Sequence, residues 1–177
     1  MMHLTDDFNY YKDKSIEMIE IPYNVEGLFA LILLPYKELN LDNLINELDQ
    51  EKMDLLINKL TIKKIDLTIP KFTLLKKKKI NLVKMLKKIG INSIFDSLSD
   101  FSQLFSNFND ININEFYQTN LIEIDEKGNE NSSFYSIDNP LIYSKNMTVN
   151  RPFLFIIRSN KLEKGKDIIL INKVEEI

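Results

Sequence analysis

The chain has 177 residues, a formal net charge of −3, and 44% hydrophobic and 28% charged residues. These values describe one folded domain of ordinary size rather than a disordered chain, and they give no broad cationic surface for nucleic acid or a membrane. The sequence has no cysteine, which excludes disulfides, thiolate nucleophiles and cysteine-ligated zinc.

Residues 1–15 are polar, with Asp6, Asp7, Lys12 and Asp13, and no signal pattern is read there. No apolar run approaches membrane-spanning length. Residues 16–23 (IEMIEIPY) alternate imperfectly, and 28–35 (LFALILLP) are almost continuously apolar. Glu26-Gly27 between them predicts the turn of a hairpin. Leu41, Leu44, Ile45 and Leu48 then follow the i, i+3, i+4, i+7 spacing of an amphipathic helix, as do Met53, Leu56, Ile57 and Leu60. Ile65, Leu67 and Ile69 return to period two, and Pro70 is expected to confine that strand to an edge or a bend. Leu82, Met85, Leu86 and Ile89 make a third helix with Gly90 as its C-terminal cap. Residues 91–115 read as loop, with SLSDFSQLF (97–105) as one apolar knot. A second hairpin is expected from the strands at 153–157 and 168–171, joined by the polar segment 159–167. This order of elements predicts an α+β domain with mostly antiparallel sheets and three short helices.

One segment stands apart. Residues 121–128 (LIEIDEKG) form a short alternating strand ending at Gly128, and 151–157 (RPFLFII) form a strand apolar enough to be buried on both faces. Between them, 129–150 has neither helical nor strand periodicity. Loops of this length inside a compact domain are usually functional or disordered.

In order and spacing, FNYYKDKSIEMIEIPY (8–23), LFALILLP (28–35), LTIPKF (67–72), LVKMLKKIGI (82–91), LIEIDEKG (121–128) and RPFLFII (151–157) together resemble the C-terminal half of a serpin. The resemblance covers essentially the whole chain. It implies a partial serpin domain over 1–177, lacking the N-terminal half, in which 129–150 is the reactive-centre loop. That loop would present a bait bond to a serine protease and, once cut, insert as a strand into a large sheet; serpin loop insertion is one of the known switching transitions. Counting the family's loop length forward from Gly128 puts the bond at Ile142–Tyr143; counting back from Pro152 puts it at Leu141–Ile142. The forward count is preferred, because insertion is set from the hinge side. An apolar residue before the bond suits elastase-, subtilisin- or chymotrypsin-like enzymes rather than a trypsin-like pocket. The hinge would be Gly128, Asn129, Glu130, Asn131, Ser132 and Ser133, where the family carries small residues. Neither period-two face of this hinge is both small and apolar, and each Asn buried without a partner would cost about 1–3 kcal/mol. Gln118 stands where the family usually has histidine, and Asn172 where it usually has glycine.

The resemblance also implies that the chain starts within a strand of a smaller sheet. The neighbour of the inserted loop would then be missing, and residues 116–125 would present an unpaired edge. Strands 65–69 and 121–125 would lose partners, so the isolated chain is expected to aggregate or be partly molten. Two functional readings follow: a serine-type endopeptidase inhibitor, or a non-inhibitory interaction protein or inactive fragment of serpin descent. No enzymatic activity, catalytic residue, cofactor, metal, nucleic acid or membrane partner is expected. The family resemblance implies an extracellular setting, and the unpatterned first residues leave a cytoplasmic one open.

The remaining constellations have plainer readings. His3, the only histidine, is read as an exposed residue of a frayed terminus rather than part of a Ser-His-Asp triad. Lys76 to Lys79 with Lys84, Lys87 and Lys88 could meet a sulfated polysaccharide, but a solvated turn and helix face explains them as well. Glu123, Asp125 and Glu126 lack ligand spacing for a metal. Asn131-Ser-Ser and Asn146-Met-Thr are glycosylation sequons inside the loop; their occurrence in so Asn-rich a chain is read as chance.

Overall fold

A computed structural model describes residues 1–36, 39–75, 80–96, 99–104, 112–119, 121–125, 145–163 and 167–175. It divides into two compact units, one of 1–72 with 123–177 and one of 73–122.

The first unit is built on a seven-stranded sheet. In chain order its strands are β1 (Met2–Lys12), β2 (Ile16–Pro22), β3 (Leu28–Pro35) and β4 (Thr61–Ile69), then β9 (Lys145–Thr148), β10 (Phe153–Ser159) and β11 (Ile168–Val174). They lie side by side as β11-β10-β3-β2-β1-β4-β9. Every pair is antiparallel except β4 with β9. Both expected hairpins form. At the first, Tyr23 N–H donates to the Leu28 carbonyl at 2.9 Å and Gly27 takes φ +82°, a left-handed conformation that glycine adopts without steric cost.

Helices α1 (Leu41–Glu47) and α2 (Gln50–Asn58) cover one face of the sheet. Each begins at a side-chain cap: Asn40 accepts from Asp42 N–H, and Asp49 from Lys52 N–H, both at 2.8 Å. Their apolar stripes supply Leu41, Leu44, Met53 and Leu56 to a core with Ile16, Met18, Leu31, Leu33, Leu154 and Ile156. The opposite face is buried too. There Phe72 packs edge-on against Phe153 and Phe155, with ring centroids 5.4 and 5.5 Å apart.

This double burial explains why β2 alternates imperfectly: all of Ile16 to Glu20 is buried. Glu17 and Glu20 point to opposite faces, and each has a partner. The Tyr10 hydroxyl donates to Glu17 at 2.5 Å. Burial first, and then the Glu17 carboxylate, raise the Tyr10 phenol well above its ordinary pKa. Glu20 receives Arg158 at 2.5 Å and the Asn9 amide at 2.8 Å.

Three expectations for this unit are corrected. His3 is exposed but not frayed: it lies in β1 opposite Thr68, with 3.0 Å between its Nδ1 and the Thr68 hydroxyl. Of the two readings of Pro70, the edge strand fails, because β4 lies between β1 and β9; instead Pro70 stands where the chain leaves the ladder, after its last pair, Met2 with Ile69. Residues 65–69 also do not lack partners: β4 pairs with β1 from Thr61 to Ile69 and with β9 from Ile65 to Thr68.

The second unit holds most of β5 (Phe72–Leu75), β6 (Ile80–Asn81), α3 (Val83–Lys88), a 3₁₀ turn (Ser93–Phe95), β7 (Tyr117–Gln118) and part of β8 (Leu121–Ile124). β5 pairs with β8, and β6 with β7, so β8 has one strand partner among the described residues. Gly90 ends α3 with φ +92°. Ile91 N–H donates to the Leu86 carbonyl and Gly90 N–H to that of Lys87, the paired bonds of a Schellman turn. Of the apolar knot expected over 97–105, Leu98 and Phe105 lie outside the described residues and Leu104 is exposed; the buried residue nearby is Phe95.

Candidate functional site

The candidate site is the segment between β8 and β10. Gly128, Asn129, Glu130, Asn131, Ser132, Ser133, Leu141, Ile142 and Tyr143 lie outside the described residues. So do Lys76 to Lys79 and Glu126. The structure does define what precedes and follows the segment.

On the C-terminal side the chain is fixed residue by residue. The sequence reading has no strand between Gly128 and Arg151, yet Lys145–Thr148 forms β9, parallel to β4. Lys145 opposes Ile65 and Met147 opposes Leu67. Met147 and Val149 are fully buried, and Val149 N–H donates to the Thr68 carbonyl at 2.8 Å. The strand escaped notice because only Met147 and Val149 alternate, and Lys145, Asn146 and Thr148 around them are polar. Asn146, the second sequon, is exposed on this strand.

Arg151 then fastens the chain. Its Nε donates to the Pro35 carbonyl at 2.6 Å, at the end of β3. Its guanidinium lies over the Tyr36 ring, 5.3 Å from the centroid, while the Lys12 ammonium also lies over that ring at 5.4 Å. Pro35 ends the apolar stretch 28–35, but neither it nor Tyr36 was read in the sequence as a partner of Arg151. Beside them is an open cavity of about 460 Å³, with Leu39, Asp42, Arg151 and Lys173 in its lining. Lys173 bonds Asp42 at 2.7 Å and Glu175 at 2.6 Å; these two hydrogen bonds raise its pKa above the usual lysine value. The cavity walls thus carry cations and anions together.

On the N-terminal side, β8 ends at Ile124, followed by Asp125. Gln118 lies on β7 opposite Ile80. Asn172, on β11 opposite Phe155, is buried with its Oδ1 unpartnered. Among the described residues no cluster of His, Asp or Glu could hold a metal ion, and no helix is long and apolar enough to cross a membrane.

Comparison with known proteins places this architecture. The pattern that defines the serpin (serine protease inhibitor) family matches residues 1–174. The chain belongs to the serpin family. It is 30% identical to Serpin B5 of Xenopus tropicalis over 169 residues, which is 91% of this chain and 44% of that protein. It is 27% identical to human plasma serine protease inhibitor over 173 residues, 94% of this chain and 41% of that one. In fold it is similar to mouse protein-Z dependent protease inhibitor, with a TM-score of 0.74 and 23% identity across 98% of this chain and 44% of that one. The serpin chain therefore spans less than half the length of these relatives. Its α+β class and mostly antiparallel strands agree with that fold.

Proposed function

We propose that residues 129–150 form a protease-facing bait segment, as the reactive-centre loop of a serine-type endopeptidase inhibitor, with 145–150 as its anchored C-terminal end. The observation that carries this reading is the fastening of that end. A bait bond must be held out from a rigid support for a protease cleft to close on it. Met147, Val149 and Arg151 supply such a support. The bond proposed is Ile142–Tyr143, with Leu141–Ile142 as the alternative, and Gly128, Asn129, Glu130, Asn131, Ser132 and Ser133 as the hinge. The partners proposed are elastase-, subtilisin- or chymotrypsin-like serine proteases, met in an extracellular setting.

A specific observation favours a second reading for this chain by itself. Its hinge has no face that is both small and apolar, so the cut segment would insert poorly into a sheet. We infer that the chain alone behaves as a substrate, and that a full-length serpin containing it is the form that traps enzyme. The test is limited digestion with elastase, subtilisin and chymotrypsin, read by mass spectrometry and denaturing gels. Cleavage at 141–143 without a covalent complex supports both parts. Preferred cutting outside 140–145 by all three enzymes overturns the bait assignment. A complex that survives denaturation overturns the substrate reading.

A further inference from the structure

Arg151 is seated chiefly by one side chain. Its Nε bond goes to a backbone carbonyl, that of Pro35. Its Nη1 stands 3.5 Å from Asn150 Oδ1, on its own chain neighbour, at the limit of a hydrogen bond. Its Nη2 is buried without a partner, and no carboxylate pairs with it among the described residues. What remains is the Tyr36 ring, 5.3 Å from the guanidinium carbon. The Lys12 ammonium shares that ring, but it has Glu17 at 3.8 Å as an anionic partner. A partly desolvated guanidinium gains more from an aromatic face than an exposed one does. The seat is itself rigid: Tyr36 N–H donates to the Ser15 carbonyl, and the Tyr36 carbonyl accepts from Leu39 N–H, both at 2.9 Å. The element that Arg151 secures is less so. β9 is a four-residue strand with one buried side chain, at the edge of the sheet, and such short edge elements open easily on their own.

We propose that Tyr36 is the positioning residue of this anchor. By holding Arg151 it keeps β9 in the ladder, and so it sets Lys145 as the C-terminal limit of what a protease can reach between 129 and 150. The ring is the working part. The Tyr36 hydroxyl is buried with no hydrogen-bond partner, so removing it takes away no bond and relieves an unsatisfied group. Tyr36 acts through Arg151 rather than by touching a protease. Its role is independent of which bond near 141–143 is offered, and it stands whether or not that bond is a bait.

The test is limited trypsin digestion of the full chain, with the rate of cleavage after Lys145 read by mass spectrometry. When reclosing outpaces cleavage, that rate reports the open population of β9. Tyr36→Leu keeps apolar bulk and loses the aromatic face, and it should speed the cut roughly tenfold. Tyr36→Phe should leave the rate within about twofold of the starting chain. Arg151→Gln should speed the cut as Tyr36→Leu does, and combining the two should add less than about twofold, because one acts through the other. Hydrogen exchange of 28–34, in β3, should be the same in the starting chain and in Tyr36→Leu. An acceleration below about threefold in Tyr36→Leu overturns the proposal, as does an equal acceleration in Tyr36→Phe. Multiplying effects in the double variant, or exchange of 28–34 that rises in step with the cut, would show a general loosening of the sheet and overturn it too. Fast cleavage after Lys145 in the starting chain does the same, since the anchor would not then be held. Where elastase, subtilisin and chymotrypsin cut bears on the bait reading alone.

Discussion

Replacing Arg158 by methionine tests how the sheet tolerates charge in its interior. Arg158 is 12% exposed and bonds Glu20, 5% exposed, at 2.5 Å; its Nε also reaches Asp167 Oδ2 at 3.4 Å. Arg158→Met would leave two buried carboxylates without a cation. Glu20 would keep one hydrogen bond, from the Asn9 amide at 2.8 Å. Asp167 already has one buried oxygen without a partner, so little remains to compensate its charge. Breaking a buried pair by removing one partner costs about 3–5 kcal/mol. Marginal domains hold only about 5–15 kcal/mol in all, so this single change should remove a large fraction of the first unit's stability. In melting temperature that is roughly 10 °C, at about 2–4 °C per kcal/mol. Glu20→Gln in the same background removes one stranded charge and keeps a group that Asn9 can bond. A double-mutant cycle should therefore show a favourable coupling of about 1–3 kcal/mol between Glu20 and Arg158. Urea unfolding followed by far-ultraviolet circular dichroism measures all four species. A loss below about 1 kcal/mol for Arg158→Met, or an additive cycle, would refute the reasoning.

Other outcomes follow from single positions. Gly27→Ala should lower the melting temperature by several degrees, because its Cβ would meet Asn160 Oδ1 and Lys161 Cγ at 2.7 Å in a backbone held at φ +82°; an unchanged melting curve would contradict this. Burial alone would raise the Asp13 carboxyl. However, the Ile16 and Ser15 N–H groups, the Tyr11 hydroxyl and nearby Lys59 outweigh it and hold Asp13 below the usual Asp value. A depressed folded pKa contributes stability that is complete above about pH 4 and is lost as pH falls through the folded value. Asp13→Asn should therefore destabilise at pH 7, with the difference closing in acid; urea midpoints at pH 7 and pH 2.5 measure it, and equal gaps at both would count against it. Trypsin should leave 145–152 intact in the folded chain, because Lys145 is paired in β9 and Arg151 is fastened to Pro35 ahead of Pro152; mass spectrometry showing early cleavage after Lys145 would refute this.

The sequence revealed what repeats and concealed what is singular. The hairpin at Glu26-Gly27, the two capped helices, the Gly90 turn and the strands at 153–157 and 168–171 all carry periodicity or punctuation that survives folding. β1 was not read as a strand from its pattern, because Met2–Lys12 is polar along most of its length and only Phe8 and Tyr10 show a buried face. Its stability comes from ladders to β2 and β4, which no local pattern reports. β9 escaped for the same reason, with four residues and one buried side chain. Pro70 misled only in its edge reading, because the rule about proline in strands applies inside the ladder, and Pro70 lies just beyond its last pair. At the site, Arg151 was noticed as part of a motif, but its partners Pro35 and Tyr36 lie 115 or more positions away. Contacts at that separation are set by topology rather than by neighbouring residues.

The unequal burial of the two units bears on what the proposed bait segment could do. The unit containing β9, β10 and Arg151 closes its core on both faces, so the C-terminal anchor of the segment rests on self-sufficient structure. The strand that leads into the segment, β8, has only β5 as a strand partner among the described residues. Most of that pair belongs to the unit that buries little of its own apolar surface. A loop that presents a bond needs mainly the anchor. A loop that must also enter a sheet after cleavage needs a receiving edge with enough strands behind it to offset the cost of ordering the inserted chain, about 1–2 kcal/mol per residue of backbone. The first requirement is met by 145–153 here. The second falls on β8, whose one strand partner among the described residues is β5. On the proposed reading presentation and trapping are thus separable, and the digestion experiment addresses both: the position of the cut tests the first and a covalent complex the second.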